Sequence, residues 1–516
     1  MENDFRQFRK ENKGLAWWLA FFVALVYGGR VVHDNLFLDS EIMVLRPEFM
    51  RHVWIGSSRF GLAFTNWLFG MSRLSPYVSG FLAAFFMWVS GMALAFGAYK
   101  WCGKSRRYRI FLYLFPALFI TCPVFAGQYL FILQAFEISF AIVLCILSVI
   151  CVGRFVYESE PAWLFVGIPC LVWAVSSYQS MAALYVSLVL FSFLLSYMNG
   201  QTENAWAQGV KHLAVFFVGM LLYGVFSVVI KRVWKIQSEY VFGLVHWGVE
   251  DWRVCLNWIW LELVKVLKAK SVFYSWIYLP AMCFFLFQAM WYGWRKKAPI
   301  IQYVCFLLAG GLFLFSPFFI TIAMGFMQPV RSQLVYPVTF ACFLAHVTVL
   351  PEKEAGLKGG KWLAGLLTLI SLTALSRNAV ATAQLFQTSW EAYRNDVLTA
   401  NRMYEDICHV ANREDMENCL VIFTGERGAG LAGPAVTGEL TGLSFYEAEA
   451  HTANGVSGRV GSLFLLLGLK IQVMTAEQTD VYRQAIDFMK DAPDWPANGS
   501  VKKMGDVVVV RLSESE

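Results

Sequence analysis

Charge is scarce in this sequence. Asp, Glu, Lys and Arg make up 15% of its 516 residues, against roughly 25% in soluble domains, so composition argues against a wholly water-soluble chain. Metal-site spacings are missing too. The 11 cysteines form no CxxC pair and the 7 histidines no HxxxH or HExxH pattern, so neither a structural zinc nor any other cofactor is expected. Basic residues sit in short loops between apolar runs instead of on one polar face, which excludes a nucleic-acid footprint. The first apolar run begins WWLAFF and ends Tyr27-Gly-Gly-Arg30. It offers no small-residue cleavage site, and a retained first helix is expected. No two halves of the chain match, which speaks against the inverted repeats of a transporter.

What is abundant is apolar surface: 58% of residues are hydrophobic and 17% aromatic. A helix needs about twenty apolar residues to cross a bilayer. Such stretches run from Leu15 to about Val32 and near 77–99, 110–126, 136–153, 162–177, 181–198, 213–230, 273–291, 298–322, 333–350 and 362–376, eleven in all. The loops at 100–109, 294–297 and 351–361 carry five, three and three Lys/Arg. All three fall on the side of the basic N-terminus, which the positive-inside rule places in the cytoplasm. The expected fold is a polytopic α-helical membrane protein of about 11 transmembrane helices with a small C-terminal α/β domain.

The division is expected at 376/377. Residues 377–516 hold 19 acidic and 12 basic residues, a net of −7 in a chain of net +6. Residues 377–411 read as a long polar helix, 419–425 (CLVIFTG) and 507–510 (VVVV) as strands, and 457–469 and 476–490 as helices. Cys408 and Cys419 both lie here, where an oxidising compartment would permit a disulfide. Gly428-Ala-Gly430-Leu-Ala-Gly433 is a formal GxGxxG after a strand, but Pro434 stands where the phosphate-binding helix should continue, so it is read as a loop. Before the tail, Trp252 to Ala269 repeats apolar residues at helical spacing and reads as an interfacial helix. The tryptophans of the Lys231–Ser271 loop read as a headgroup-level belt in preference to a sugar platform. Arg59 to Met71, too short to span, reads as a second interfacial helix.

The polar run from His33 to Arg59 is the main site candidate. It places Asp34, Asp39, Glu41 and Glu48 beside lipid, where carboxylates are costly and point to function. Other carboxylates on that side of the membrane half are Glu137, Glu239, Glu250, Asp251 and Glu262; Glu158, Glu160, Glu203, Glu352 and Glu354 fall on the cytoplasmic side. Asp39-Ser-Glu41 directly follows the apolar Leu36-Phe37-Leu38. A carboxylate there can act as a general base, against the bland alternative of a solvated loop. Ser177-Tyr178-Gln179-Ser180 is a compact polar turn between apolar spans, able to offer hydroxyl and amide groups. Arg331 is the sole charge of its loop, and Arg59 closes the acidic run; either can grip a phosphate bidentately. The competing readings are a plain helix-connecting turn and snorkelling to headgroups.

Taken together, the acidic first loop ending in Trp54, Gly56 and Arg59, the SYQS turn, Arg331 before a late span and the polar helix RNAVATAQLFQTSWEAYRNDVLTANRMYEDI resemble the bacterial serotype-converting O-antigen glucosyltransferases. These form the Gtr type II-like family of the GT-C superfamily. The resemblance runs from the first span to about residue 411 and leaves the rest of the tail unexplained. It implies a multi-pass enzyme of the bacterial inner membrane with a periplasmic C-terminal domain. The implied donor is undecaprenyl-phosphate glucose, the implied acceptor a lipid-linked O-antigen-type glycan, and the implied reaction a one-step inverting displacement. Asp39 or Glu41, with Asp34 nearby, would supply the base; Arg59, Arg331, Tyr178 and Gln179 would hold the donor phosphate and sugar. Another sugar, or a glycan ligase using His246, is the enzyme-class alternative. A lipid-glycan transporter and a structural partner of a glycan-assembly complex are the others.

Overall fold

The computed structural model describes residues 2–513 except 202–203, 239–241, 296–298, 350–357, 412, 432, 434 and 476. Glu203, Glu239, Glu352, Glu354 and Pro434 lie outside the described residues. Among the rest, eight helices are long and apolar enough to cross a membrane: Leu15–Val32, Pro76–Trp101, Arg106–Tyr129, Ile132–Glu158, Ser180–Met198, Ala205–Val233, Ile300–Met324 and Gly359–Val410. Helices are what such runs must form in lipid, because each backbone N–H and C=O finds its partner within the segment. Two further apolar helices, Pro161–Ser177 and Tyr278–Trp291, are shorter. The stretch expected to span near 333–350 folds as an 11-residue helix, Tyr336–His346, with every residue buried against its neighbours. Its apolar character serves the protein core.

The expected division at 376/377 falls inside one continuous helix, Lys358–Val410. Its first half is apolar and its second half polar, so one rod joins the bundle to the tail. Beyond it lies a four-stranded sheet of order β2-β1-β4-β3, with β1 (Leu420–Thr424), β2 (Gln472–Val473), β3 (Val501–Met504) and β4 (Val507–Arg511). Strand β1 runs parallel to β2 and β4, and β3 pairs antiparallel with β4. Strands β1 and β4 read as unbroken apolar runs because both faces are covered. Side chains alternate between faces. Val421, Phe423, Val508 and Val510 pack with Met403, Ile407, Val460 and Phe464, while Leu420, Ile422 and Val509 pack with Tyr482, Ala485 and Met489. The helices carrying those partners are Lys358–Val410, Ser457–Leu466 and Thr479–Phe488, with Met489 capping the last. The glycine-rich stretch after β1 opens no helix among the described residues before Ser457–Leu466, and Cys408 and Cys419 are free thiols.

The tail is fastened to the long helix by a buried carboxylate. Asp396 accepts from Ser444 Oγ at 2.6 Å and from the Phe445 backbone N–H at 2.8 Å. A buried donor left without its acceptor costs roughly 1–3 kcal/mol. Asp396→Ala should therefore lower the thermal midpoint of the detergent-solubilised protein and speed proteolysis within 425–456. Cleavage at the wild-type rate would show that the fastening lies elsewhere.

Candidate active site

Leu36, Phe37 and Leu38 are buried just after the first helix, with the Phe37 ring against those of Phe131 and Phe445. This apolar plug fixes the chain as it enters the acidic loop. Asp39 follows at φ 68°, in the left-handed region, which Asp and Asn tolerate better than other non-glycine residues. Backbone held there persists when its surroundings over-determine it, and here the surroundings are ionic. Arg459, in the tail helix Ser457–Leu466, donates from Nη2 to Asp39 Oδ1 at 2.8 Å and from Nη1 to Glu41 Oε1. Its Nε and Nη2 also grip both oxygens of Glu449, each at 2.7 Å.

The two carboxylates the sequence left as alternatives have different surroundings. The Asp39 side chain is 42% exposed and lines a cavity of about 510 Å³, whereas Glu41 is 0% exposed and does not line it. Burial pushes the Glu41 carboxyl up, against the pull of Arg459. Glu449 is held below the ordinary carboxylate range by its hydrogen bonds from the same guanidinium. Asp34 is exposed and does not line the cavity.

Both predicted arginines face the cavity with Asp39, alongside His52, Trp54 and Gln134. Arg59 Nε donates to Gln179 Oε1 at 3.2 Å, and its guanidinium lies 4.9 Å from the centre of the Tyr178 ring. Gln179 in turn donates to the Ser57 carbonyl at 2.8 Å, and the Tyr178 hydroxyl meets Ser332 Oγ at 3.0 Å. The SYQS turn thus ties the end of the acidic run to the Arg331 loop. A close helix crossing sets this up: a Cβ on Gly61 would sit 2.7 Å from the Ser176 carbonyl carbon, so only glycine lets Phe60–Leu68 lie against Leu164–Ser177. Arg331 stacks its guanidinium 4.9 Å from the Phe131 ring centre. Neither arginine pairs with a carboxylate among the described residues. Such a pair, lining one cavity, is suited to an anion. No group of three or more His, Cys, Asp or Glu among the described residues is placed to hold a metal.

An apolar groove of about 1080 Å³ lies beside the cavity, lined by Phe60, Phe64, Trp67, Trp173, Phe226 and Trp234. The two share a wall, since His52 faces the cavity and its ring meets that of Trp234 at 5.5 Å. The stretch Trp252–Ala269 forms a helix, Trp252–Leu267, with Trp252 and Trp260 exposed. His246 lies away from the cavity, stacked 4.5 Å from Phe326 and 2.8 Å from Glu250.

Sequence reasoning did not find Arg459, Glu449, His52 or Gln134. A trace of Arg459 was there, as the single charge in the apolar helix SGRVGSLFLL. It also passed over a second contact from the tail, in which Glu439 accepts the Val330 N–H at 2.8 Å, one residue before Arg331. Nearby, buried Glu262 accepts from Gln333 Nε2 at 3.1 Å, and burial raises its carboxyl to about 7. Below the unfolded carboxylate value, near 4.3, the group is neutral in both states; as pH climbs through 7 the fold must hold a buried charge, so stability falls. Glu262→Gln should raise the thermal midpoint at pH 8 and leave it little changed at pH 4. An equal effect at both pH values would contradict this.

A helical bundle that brings a carboxylate and two arginines, neither paired with a carboxylate among the described residues, to one cavity beside an apolar groove has the parts a membrane glycosyltransferase needs. The comparison with known families agrees and is more specific: residues 30–349 match the family model described as Glucosyl transferase GtrII, and the chain belongs to that family. It is a glucosyltransferase family member, and hence an enzyme that moves a sugar from a donor to an acceptor. No curated protein and no solved structure matches the chain.

Proposed function

We propose that this enzyme transfers glucose from undecaprenyl-phosphate glucose to a lipid-linked O-antigen-type glycan, at the periplasmic face of a bacterial inner membrane. The observation that carries the reading is the grouping of Asp39, Arg59 and Arg331 around one cavity. Asp39 takes the proton of the acceptor hydroxyl, and the hydroxyl oxygen attacks the anomeric carbon of glucose. The bond from that carbon to the phosphate oxygen breaks as the new one forms, inverting the centre. The departing undecaprenyl phosphate carries away the electron pair, and Arg59 and Arg331 stabilise its growing charge. Tyr178 and Gln179 hold Arg59 and offer polar atoms to the sugar. The apolar groove takes the first isoprene units, leaving the phosphate at the shared wall.

The sidedness rests on charge. Lys100, Lys104 and Arg154 gather with Asp4, Glu158 and Glu160 around the N-terminal helix, the pattern of a cytoplasmic end. The cavity and tail occupy the other end. We divide the protein into a transferase domain, 1–376, and a tail, 377–516, that borders the acceptor's path. The test uses purified full-length enzyme in nanodiscs with labelled undecaprenyl-phosphate glucose or UDP-glucose, and then determines the anomeric configuration of the product. Transfer from the lipid donor with inversion supports the reading. Transfer from UDP-glucose alone, or with retention, overturns it.

A further inference from the structure

We propose that Arg459 is a positioning residue for the transfer, so that the tail completes the active site. The proposal rests on Asp39 being the base. Arg459 lies outside residues 30–349, the part of the chain that matches the family, yet it makes four hydrogen bonds to three carboxylates: Asp39, Glu41 and Glu449. One guanidinium fork makes all four because it presents five N–H donors in a fixed plane, whereas an ammonium has three.

The three carboxylates divide the work. Glu449 takes Nε and Nη2 and sets the plane of the guanidinium. Glu41, enclosed and without access to the cavity, anchors Nη1. That leaves one Nη2 contact for Asp39, made to Oδ1. The contact fixes the torsion of a side chain whose backbone is already in the left-handed region, and leaves Oδ2 outside the arginine's grip, available to an acceptor in the cavity. A general base misplaced by about 1 Å loses on the order of 100-fold. Glu41 is therefore an anchor for the arginine and takes no part in the proton transfer.

The experiment compares kcat and KM for labelled undecaprenyl-phosphate glucose in purified full-length wild type, Asp39→Asn, Arg459→Gln, Arg459→Lys and the double variant Glu41→Gln/Arg459→Gln. Arg459→Gln should lose about 100-fold in kcat with KM changed less than about 3-fold, and Arg459→Lys should recover only part of it. Should Arg459→Gln fail to fold with a buried carboxylate left unpaired, the double variant removes both charges and folds, and it should remain slow. Wild-type kcat in the double variant would mean that Arg459 only neutralises Glu41, overturning the proposal, as would wild-type kcat in folded Arg459→Gln. The Asp39→Asn arm separates the two failures. Undiminished transfer there sinks the base assignment itself, while a dead Asp39→Asn beside a fully active arginine variant sinks only the positioning role.

Discussion

Asp39→Asn is expected to lower kcat by about 10²–10⁴-fold, the range general-base catalysis supplies, with donor affinity held near wild type. The amide keeps the shape of the carboxylate and can still accept from Arg459, so the folded enzyme should persist. What it loses is the capacity to take a proton. Glu41→Gln should behave differently. Glu41 does not face the cavity, and an amide oxygen can still accept from Arg459 Nη1, so the loss should be well under the Asp39→Asn loss. Kinetics on matched amounts of folded protein decide between them. If Glu41→Gln is the dead variant and Asp39→Asn is active, the base has been assigned to the wrong carboxylate.

The second large effect belongs to Arg331. Removing one group aimed at developing charge costs roughly 10²–10³ in kcat, and Arg331→Gln should fall in that range. Arg331→Lys should recover part of it, since it keeps the charge and loses the planar fork. Arg59→Gln should be milder, because Arg59 is committed to Gln179 through Nε and lies on Tyr178. Its removal also loosens the SYQS turn, so KM should rise along with the fall in kcat. Steady-state kinetics over donor concentration separate the two patterns. A purely KM effect for Arg331→Gln would place that arginine in ground-state binding alone.

Local patterns carried much of the fold. Long apolar runs identify the helices from Leu15–Val32 to Ile300–Met324, because the bilayer sets their length and the backbone has no alternative partner. The run near 333–350 folds as the buried 11-residue helix Tyr336–His346, and apolar residues facing protein look like apolar residues facing lipid in a sequence. In the tail, CLVIFTG and VVVV were legible as strands, but β2 and β3 were not: Gln472–Val473 is two residues long, and Val501–Met504 carries two lysines. Asp39, Arg59, Arg331, Tyr178 and Gln179 stood out as polar residues in apolar surroundings, and they meet around or beside one cavity. Asp34 stood out for the same reason and remains in solvent. Arg459 lies 420 positions from the aspartate it holds, and no periodicity or motif encodes a pairing across that distance. The choice between Asp39 and Glu41 was equally out of reach, because residues two apart differ here only in which way the left-handed turn points them.

Whether Asp39 is the base is decided by glucose transfer from labelled undecaprenyl-phosphate glucose to lipid-linked glycan in membranes, comparing wild type with Asp39→Asn at matched expression. Wild type should transfer glucose, and the variant should lose about 100-fold or more. Equal transfer by the two, or a wild type that takes glucose only from a nucleotide donor, would contradict this mechanism.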